Sequence, residues 1–214
     1  MKIFIGFDER QPIAFQVLAH SIWKHTPNAC ITRLNLPDLP IKRRGLTAFT
    51  FSRYLVPYLS GFQGVSVFLD ADMLALADIS PLVEHAMGRD DAVFVVKNEI
   101  RFEWPSLMVF KNWHCKTLIP EFIEDTKNHL NDFSWAASVG ELDSTWNHLV
   151  GYDQPQDAKI IHYTKGIPIW PETKDCEYSK EWHQAHRECN SSVTYQALMG
   201  RSVHAQIDRV RSAK

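Results

Sequence analysis

The stretch VSVFLDAD, Val65 to Asp72, constrains the fold more than any other. Val65 to Leu69 is a short, almost wholly apolar run that stops abruptly at a charge, which is the pattern of a buried strand. Further runs of this kind occur at residues 2–7 (KIFIGF), Ile31–Leu36, Ala92–Lys97, Leu107–Phe110 and Lys159–His162. Segments with helical spacing separate them: Pro12–His25, Phe51–Leu59 with Pro57 as a kink, and Ile79–Met87. Pro12 suits a first helical turn. Trp113–Leu130 reads as the longest helical stretch, interrupted by Pro120, and Trp182–Ala205 reads as largely helical. Strands alternating with helices predict an α/β chain with a mostly parallel central sheet flanked by helices.

Composition agrees with one compact domain: 214 residues, 45% of them hydrophobic, are enough for a proper core. No apolar run reaches the roughly 18 residues of a membrane-spanning helix, so no transmembrane segment is expected. The opening MKIFIGFD reads as a first strand and not as a signal peptide. A net charge of −2 offers no basic excess for a phosphate backbone, so nucleic acid is not an expected partner. The locally basic RSVHAQIDRVRSAK at the C-terminus reads as a solvated helix. Cysteines at 30, 115, 176 and 189 form no disulfide framework, which predicts a reducing, cytoplasmic setting.

The carboxylates at the end of the buried run carry the chemistry. Ligands of open α/β sheets sit at the carboxyl ends of strands, and Asp70 falls there. Residues i and i+2 of an extended segment point the same way, so Asp70 and Asp72 can converge. Two converging carboxylates repel unless a cation lies between them, and a hard divalent ion, Mn²⁺ or Mg²⁺, suits oxygen ligands. His162, at the end of KIIH, is a candidate third ligand. Each residue also has a plain structural use: Asp70 as a cap, Asp72 facing solvent, His162 as a packed core histidine.

Taken together, these segments resemble glycosyltransferase family 8. The matching pieces are IFIGFDERQPIAFQVLAHSI, FSRYLVPYL, VSVFLDADMLALADISPL, LMVFKNW and HYTKGIPIW, in the family's order over about residues 1–170. LDSTWNHL is similar to the family's L-D-x-x-[WF]-N stretch. The resemblance implies the GT-A nucleotide-diphospho-sugar transferase fold as one domain over 1–214. Residues of about 1–100 would form its nucleotide-binding half, and about 101–214 its acceptor side and C-terminal helices. It implies a metal-dependent hexosyltransferase using a nucleotide sugar, UDP-linked, with retention of configuration. The acceptor would be a saccharide, a lipid-linked glycan or a protein. Asp70, Asp72 and His162 would hold Mn²⁺ (or Mg²⁺) against the diphosphate. Ala71 would offer backbone contact to the ribose, and Asp8 would meet the base. Lys165 and Gly166 would approach the diphosphate. Arg53 would lie near donor sugar and phosphates, and Arg53 and Asp143 are the candidate catalytic residues.

The chain departs from the family in places. The expected H-x-x-G-x-x-K-P-W is here His162 to Trp170, HYTKGIPIW, with Gly and Lys displaced and Pro168 where Lys is expected. The family's N-x-G is here Trp104-Pro105-Ser106, and its D-Q pair has no clear match; Glu141 and Asp143 are the nearby acids. These departures keep a second function open, a non-catalytic nucleotide or nucleotide-sugar binding protein on the same fold. A nucleotidyltransferase would also use paired carboxylates, but IGFDERQPIA lacks the Gly-rich basic loop for a triphosphate. Cys176, His183, His186 and Cys189 invite a zinc reading, yet C-x6-H-x2-H-x2-C is not a standard finger, and a helix with a His-bearing polar face is preferred. Trp104, Trp135, Trp146 and Trp170 are candidates to stack on a sugar, against the commoner role of core packing.

Overall fold

A computed structural model describes residues 1–189 of the chain. In chain order the elements are β1 (Lys2–Gly6), α1 (Pro12–His25), β2 (Cys30–Leu34), α2 (Val56–Leu59), β3 (Val65–Leu69), β4 (Met73–Ala75), α3 (Ser80–Met87), β5 (Val93–Val96), β6 (Leu107–Lys111), α4 (Pro120–Glu124), β7 (Val139–Leu142), β8 (His148–Leu149), β9 (Ile160–His162) and α5 (Ser179–Glu188). Six strands form one sheet in the order β2-β1-β3-β6-β5-β7, and β4-β9-β8 form a smaller one. In the large sheet β6 runs against both neighbours and the other pairings are parallel. The expected mostly parallel sheet is therefore present, with one reversed strand.

Alternation along the strands explains why the runs are apolar throughout. Ile3, Ile5, Val67, Leu69, Phe94 and Val96 face one core layer, with Ile13, Val17, Leu18 and Ile22 of α1 and Leu82 of α3. Phe4, Phe68, Val93, Val95, Met108 and Phe110 face the other, with Tyr54, Leu55, Val56 and Trp135. Successive side chains point to opposite faces, so a sheet covered on both sides needs apolar residues at every position. Trp182 is fully buried in the first layer and anchors α5 there.

The helical reading of residues 113–130 is wrong. The chain forms a short 3-10 turn at Asn112–His114 and then the five-residue α4. Pro120 has no N–H to donate, so it begins α4 in its first turn and does not interrupt a longer helix. Asp125 is extended and ends it. Arg43 then donates to the carbonyls of Ile123, Asp125 and Asn128, replacing the hydrogen bonds a continued helix would have made. Pro57 likewise lies in the first turn of α2, after a 3-10 turn at Ser52–Leu55, and is no kink. The short strands β4, β7 and β8 had no counterpart in the sequence reading. Trp182–Ala205 is helical as far as Glu188, and Cys189 follows in a turn; residues 190–205 and the basic C-terminal stretch lie outside the described residues. Among the described residues no helix is long and apolar enough to cross a membrane.

Candidate functional site

The site forms where the two sheets meet. Asp70 directly follows β3, and its backbone N–H donates to the carbonyl of Ser106 just before β6 (2.9 Å). The chain turns through Ala71 and Asp72 into β4. Antiparallel pairing sets Met73 opposite His162, the last residue of β9, and Tyr163 donates to the Asp72 carbonyl (2.9 Å). That register brings one ligand atom each from Asp70, Asp72 and His162 within 4.8 Å of one another. Among the described residues this is the one group of three or more acidic, His or Cys side chains so arranged. Cys176, His183, His186 and Cys189 do not gather: the Trp182 ring packs against both histidines, and the Cys189 thiol faces the Gln16 carbonyl.

The electrostatics of the triangle are unbalanced. Asp70 is buried, and burial pushes its carboxyl up to about 7; Arg53 opposes the rise and Asp72 adds to it. Arg53 Nη2 lies 3.1 Å from Asp70 Oδ1, with its guanidinium between the rings of Phe49 and Phe68. Burial alone would lower His162, but Asp72, Asp70 and Glu103 outweigh it and the imidazole is raised. His162 Nε2 lies 3.4 Å from Asp72 Oδ1. Even so, Asp70 Oδ1 and Asp72 Oδ1 are buried without a hydrogen bond of sound geometry. Buried carboxylate oxygens left this way are costly unless a cation joins them. Two carboxylates and one imidazole are a donor set for a divalent ion.

A chain of hydrogen bonds orients the histidine. The Ser106 hydroxyl donates to the Glu103 carbonyl, so its oxygen is left to accept from Asn147 Nδ2 (3.1 Å). The Asn147 amide must then turn Oδ1 toward His162 Nδ1 (3.1 Å), which makes Nδ1 the protonated nitrogen. The lone pair is left on Nε2, on the side of Asp72. Outer partners of this type fix the tautomer of a metal-ligating histidine. Asn147→Ala is therefore expected to weaken divalent-ion binding by about 10- to 100-fold in a calorimetric titration, while Asn147→Asp keeps an acceptor and retains it.

Three adjoining hollows run past the triangle. The first, about 230 Å³, includes Asp8, Arg10 and Arg44. The second, about 220 Å³, includes Asp8, Ala71 and Asp72. The third, about 200 Å³, includes Arg53, Asp70, Asp72, Glu103, Asn131 and Thr164. Asp8, Arg53 and Ala71 thus share a groove with the triangle. Burial raises Asp8, but the hydrogen bonds and charge of Arg10 outweigh it and hold the carboxyl below its usual range; Arg10 Nη2 donates to Oδ2 at 2.6 Å.

Other expected residues lie elsewhere. Lys165 folds over Tyr152, with Nζ 4.6 Å from the ring centroid and directed at the Gly151 carbonyl. Gly166 holds a φ of +110° in the same turn, where a Cβ would meet Trp170 at 3.4 Å. Asp143 is exposed and caps the 3-10 turn Ser144–Trp146, accepting from Thr145 N. Its stretch reaches the site through Asn147 instead. Trp135, Trp146 and Trp170 are core residues, and Trp104 packs against Phe133. Sequence reasoning missed Asn147, although it closes the LDSTWN motif, and missed Glu103, for which RFEWPS gives no signal.

No protein-family model matches the sequence. The protein CDI of Arabidopsis thaliana is 32% identical over 228 residues, covering 88% of this chain and 87% of CDI. Among solved structures, the apo-form glycosyltransferase GlyE of Streptococcus pneumoniae TIGR4 aligns with a TM-score of 0.66 at 16% identity, over 98% of this chain and 63% of that one. The galactosyltransferase LgtC, bound to donor and acceptor sugar analogs, aligns with a TM-score of 0.61 at 11% identity, over 89% of this chain and 97% of that one. The bifunctional WbbM aligns with a TM-score of 0.61 at 14% identity, over 100% of this chain and 52% of that one. At these identities the likeness is one of fold, and it bears out the resemblance to family 8 at that level. With the GT-A architecture of those glycosyltransferases and this share of sequence in common with CDI, the chain belongs to the CDI family.

Proposed function

We propose that this chain is a metal-dependent glycosyltransferase that moves a sugar from a UDP-linked donor to an acceptor hydroxyl, with retention of configuration. The observation that carries the reading is the Asp70–Asp72–His162 triangle in a GT-A fold, with Asp70 Oδ1 and Asp72 Oδ1 buried and ion-paired but without a hydrogen bond of sound geometry. These three residues would hold Mn²⁺ or Mg²⁺. The ion would supply Lewis-acid stabilisation of the charge that collects on the departing diphosphate. Arg53, fixed by Asp70 and by the Phe49 carbonyl, adds a second positive charge at the same place. The hollow around Asp8 receives the nucleoside, with Ala71 against the ribose. Gly166 and the displaced Lys165 belong to the loop beyond β9, and retention is carried over from the resemblance to family 8.

A second reading, a binding protein without turnover, draws on Asp143 and Lys165: the first caps a 3-10 turn and the second is directed at the Gly151 carbonyl. UDP release from UDP-hexoses, measured with Mn²⁺ and again with EDTA, separates the two. Release that needs the ion is expected. Tight Mn²⁺–UDP binding with no release would favour the second reading, and neither binding nor release would leave only the fold.

A further inference from the structure

Glu103 has no part in the proposed ion site, yet it is built into the groove. Its side chain is 18% exposed, and its carboxylate accepts no hydrogen bond among the described residues. It lines the third hollow but stands outside the group of ligand atoms gathered within 4.8 Å. The triangle lies between this hollow and the Asp8 hollow, because Asp72 lines both the second and the third. With the nucleoside on the Asp8 side and the diphosphate at the triangle, the sugar extends to the Glu103 side. Two more polar groups are free there. Thr164 Oγ1 is buried without a partner, and Asn131, whose Oδ1 accepts from the Tyr54 hydroxyl, has its NH₂ to spare.

We infer that Glu103 sets the charge class of the transferred sugar: the site takes a donor whose sugar bears hydroxyls and no carboxylate. This rests on the nucleotide-sugar reading above. Arg53 is engaged by Asp70. Arg10 is engaged by Asp8. His162 Nδ1, 3.9 Å from Glu103 Oε2, is already given to Asn147. Among the described residues that line the third hollow, the basic ones are Arg53 and His162, and each is already engaged. A carboxylate on the sugar would face Glu103, the carboxylate of this hollow that stands outside the ion's ligand group, and like charges in a half-buried site oppose binding. Sugar hydroxyls, in contrast, donate to Glu103.

Calorimetric titration with Mn²⁺ tests this, using UDP, UDP-glucose, UDP-galactose and UDP-glucuronate, in the wild type and in Glu103→Gln and Glu103→Asp. UDP carries no sugar and is the reference ligand for each protein. The wild type is expected to bind UDP-glucuronate at least about tenfold more weakly than the better neutral donor. Glu103→Gln closes most of that gap, and Glu103→Asp, which keeps the charge, preserves it. Equal or tighter binding of the uronate by the wild type overturns the inference, as does a gap unchanged in Glu103→Gln. Failure of UDP itself to bind with Mn²⁺ is a different result: it removes the nucleotide-sugar reading and this inference with it.

Discussion

Asp72→Asn is expected to abolish Mn²⁺-dependent UDP binding, a loss beyond the roughly 100-fold that removal of an outer-shell partner can cause. Asn keeps the size of Asp but offers a neutral oxygen, so the ion loses one of its two anionic ligands. The side chain is 31% exposed, so the fold has little stake in it. In the ion-free protein the change removes a negative charge that raises Asp70 and, with the opposite effect on stability, the charge that raises His162. Ion-free Asp72→Asn should therefore melt close to the wild-type temperature while failing to bind. Titrations of UDP with and without Mn²⁺, paired with thermal melting, read both halves. UDP binding that ignores the ion, or survives the substitution, would return the carboxylates to capping and solvent exposure.

The central sheet was legible because its strands are short and uniformly apolar, which follows from burial on both faces. The triangle was legible for a related reason. Asp70 ends such a strand and His162 ends another, and charge at the end of a buried run is conspicuous. What failed depends on pairing across the chain. β4 and β8 are three and two residues long and exist because β9 lies between them. Residues 113–130 carry apolar side chains that fill the second core layer from a mostly irregular backbone, and helical periodicity imitates that packing. Asp143 and Asn147 show the same limit within one motif. The carboxylate drew attention, but it only caps a turn, and the amide four residues later reaches the histidine. Glu103 gains meaning only from β6 being drawn beside β3.

Ion binding is expected to strengthen by on the order of 100-fold between pH 6 and pH 8, because two protons must leave the triangle before an ion can enter. Asp70, pushed up to about 7 mainly by burial, is largely neutral at the lower pH. His162, raised above 6.5 by Asp72, Asp70 and Glu103 against the pull of burial, is largely an imidazolium there. Ion-free stability has the same sign for both groups. The raised carboxyl of Asp70 costs the fold stability as pH climbs from 3.8 through about 7. The contribution of His162 is complete below 6.5 and fades as pH rises through its folded value. The rise in melting temperature on adding Mn²⁺ should therefore grow with pH across this window. Exposed carboxylates, already ionised at pH 6, would bind the ion with a flat profile. A flat or falling profile would thus mean that the ion is held on the surface and not by Asp70, Asp72 and His162.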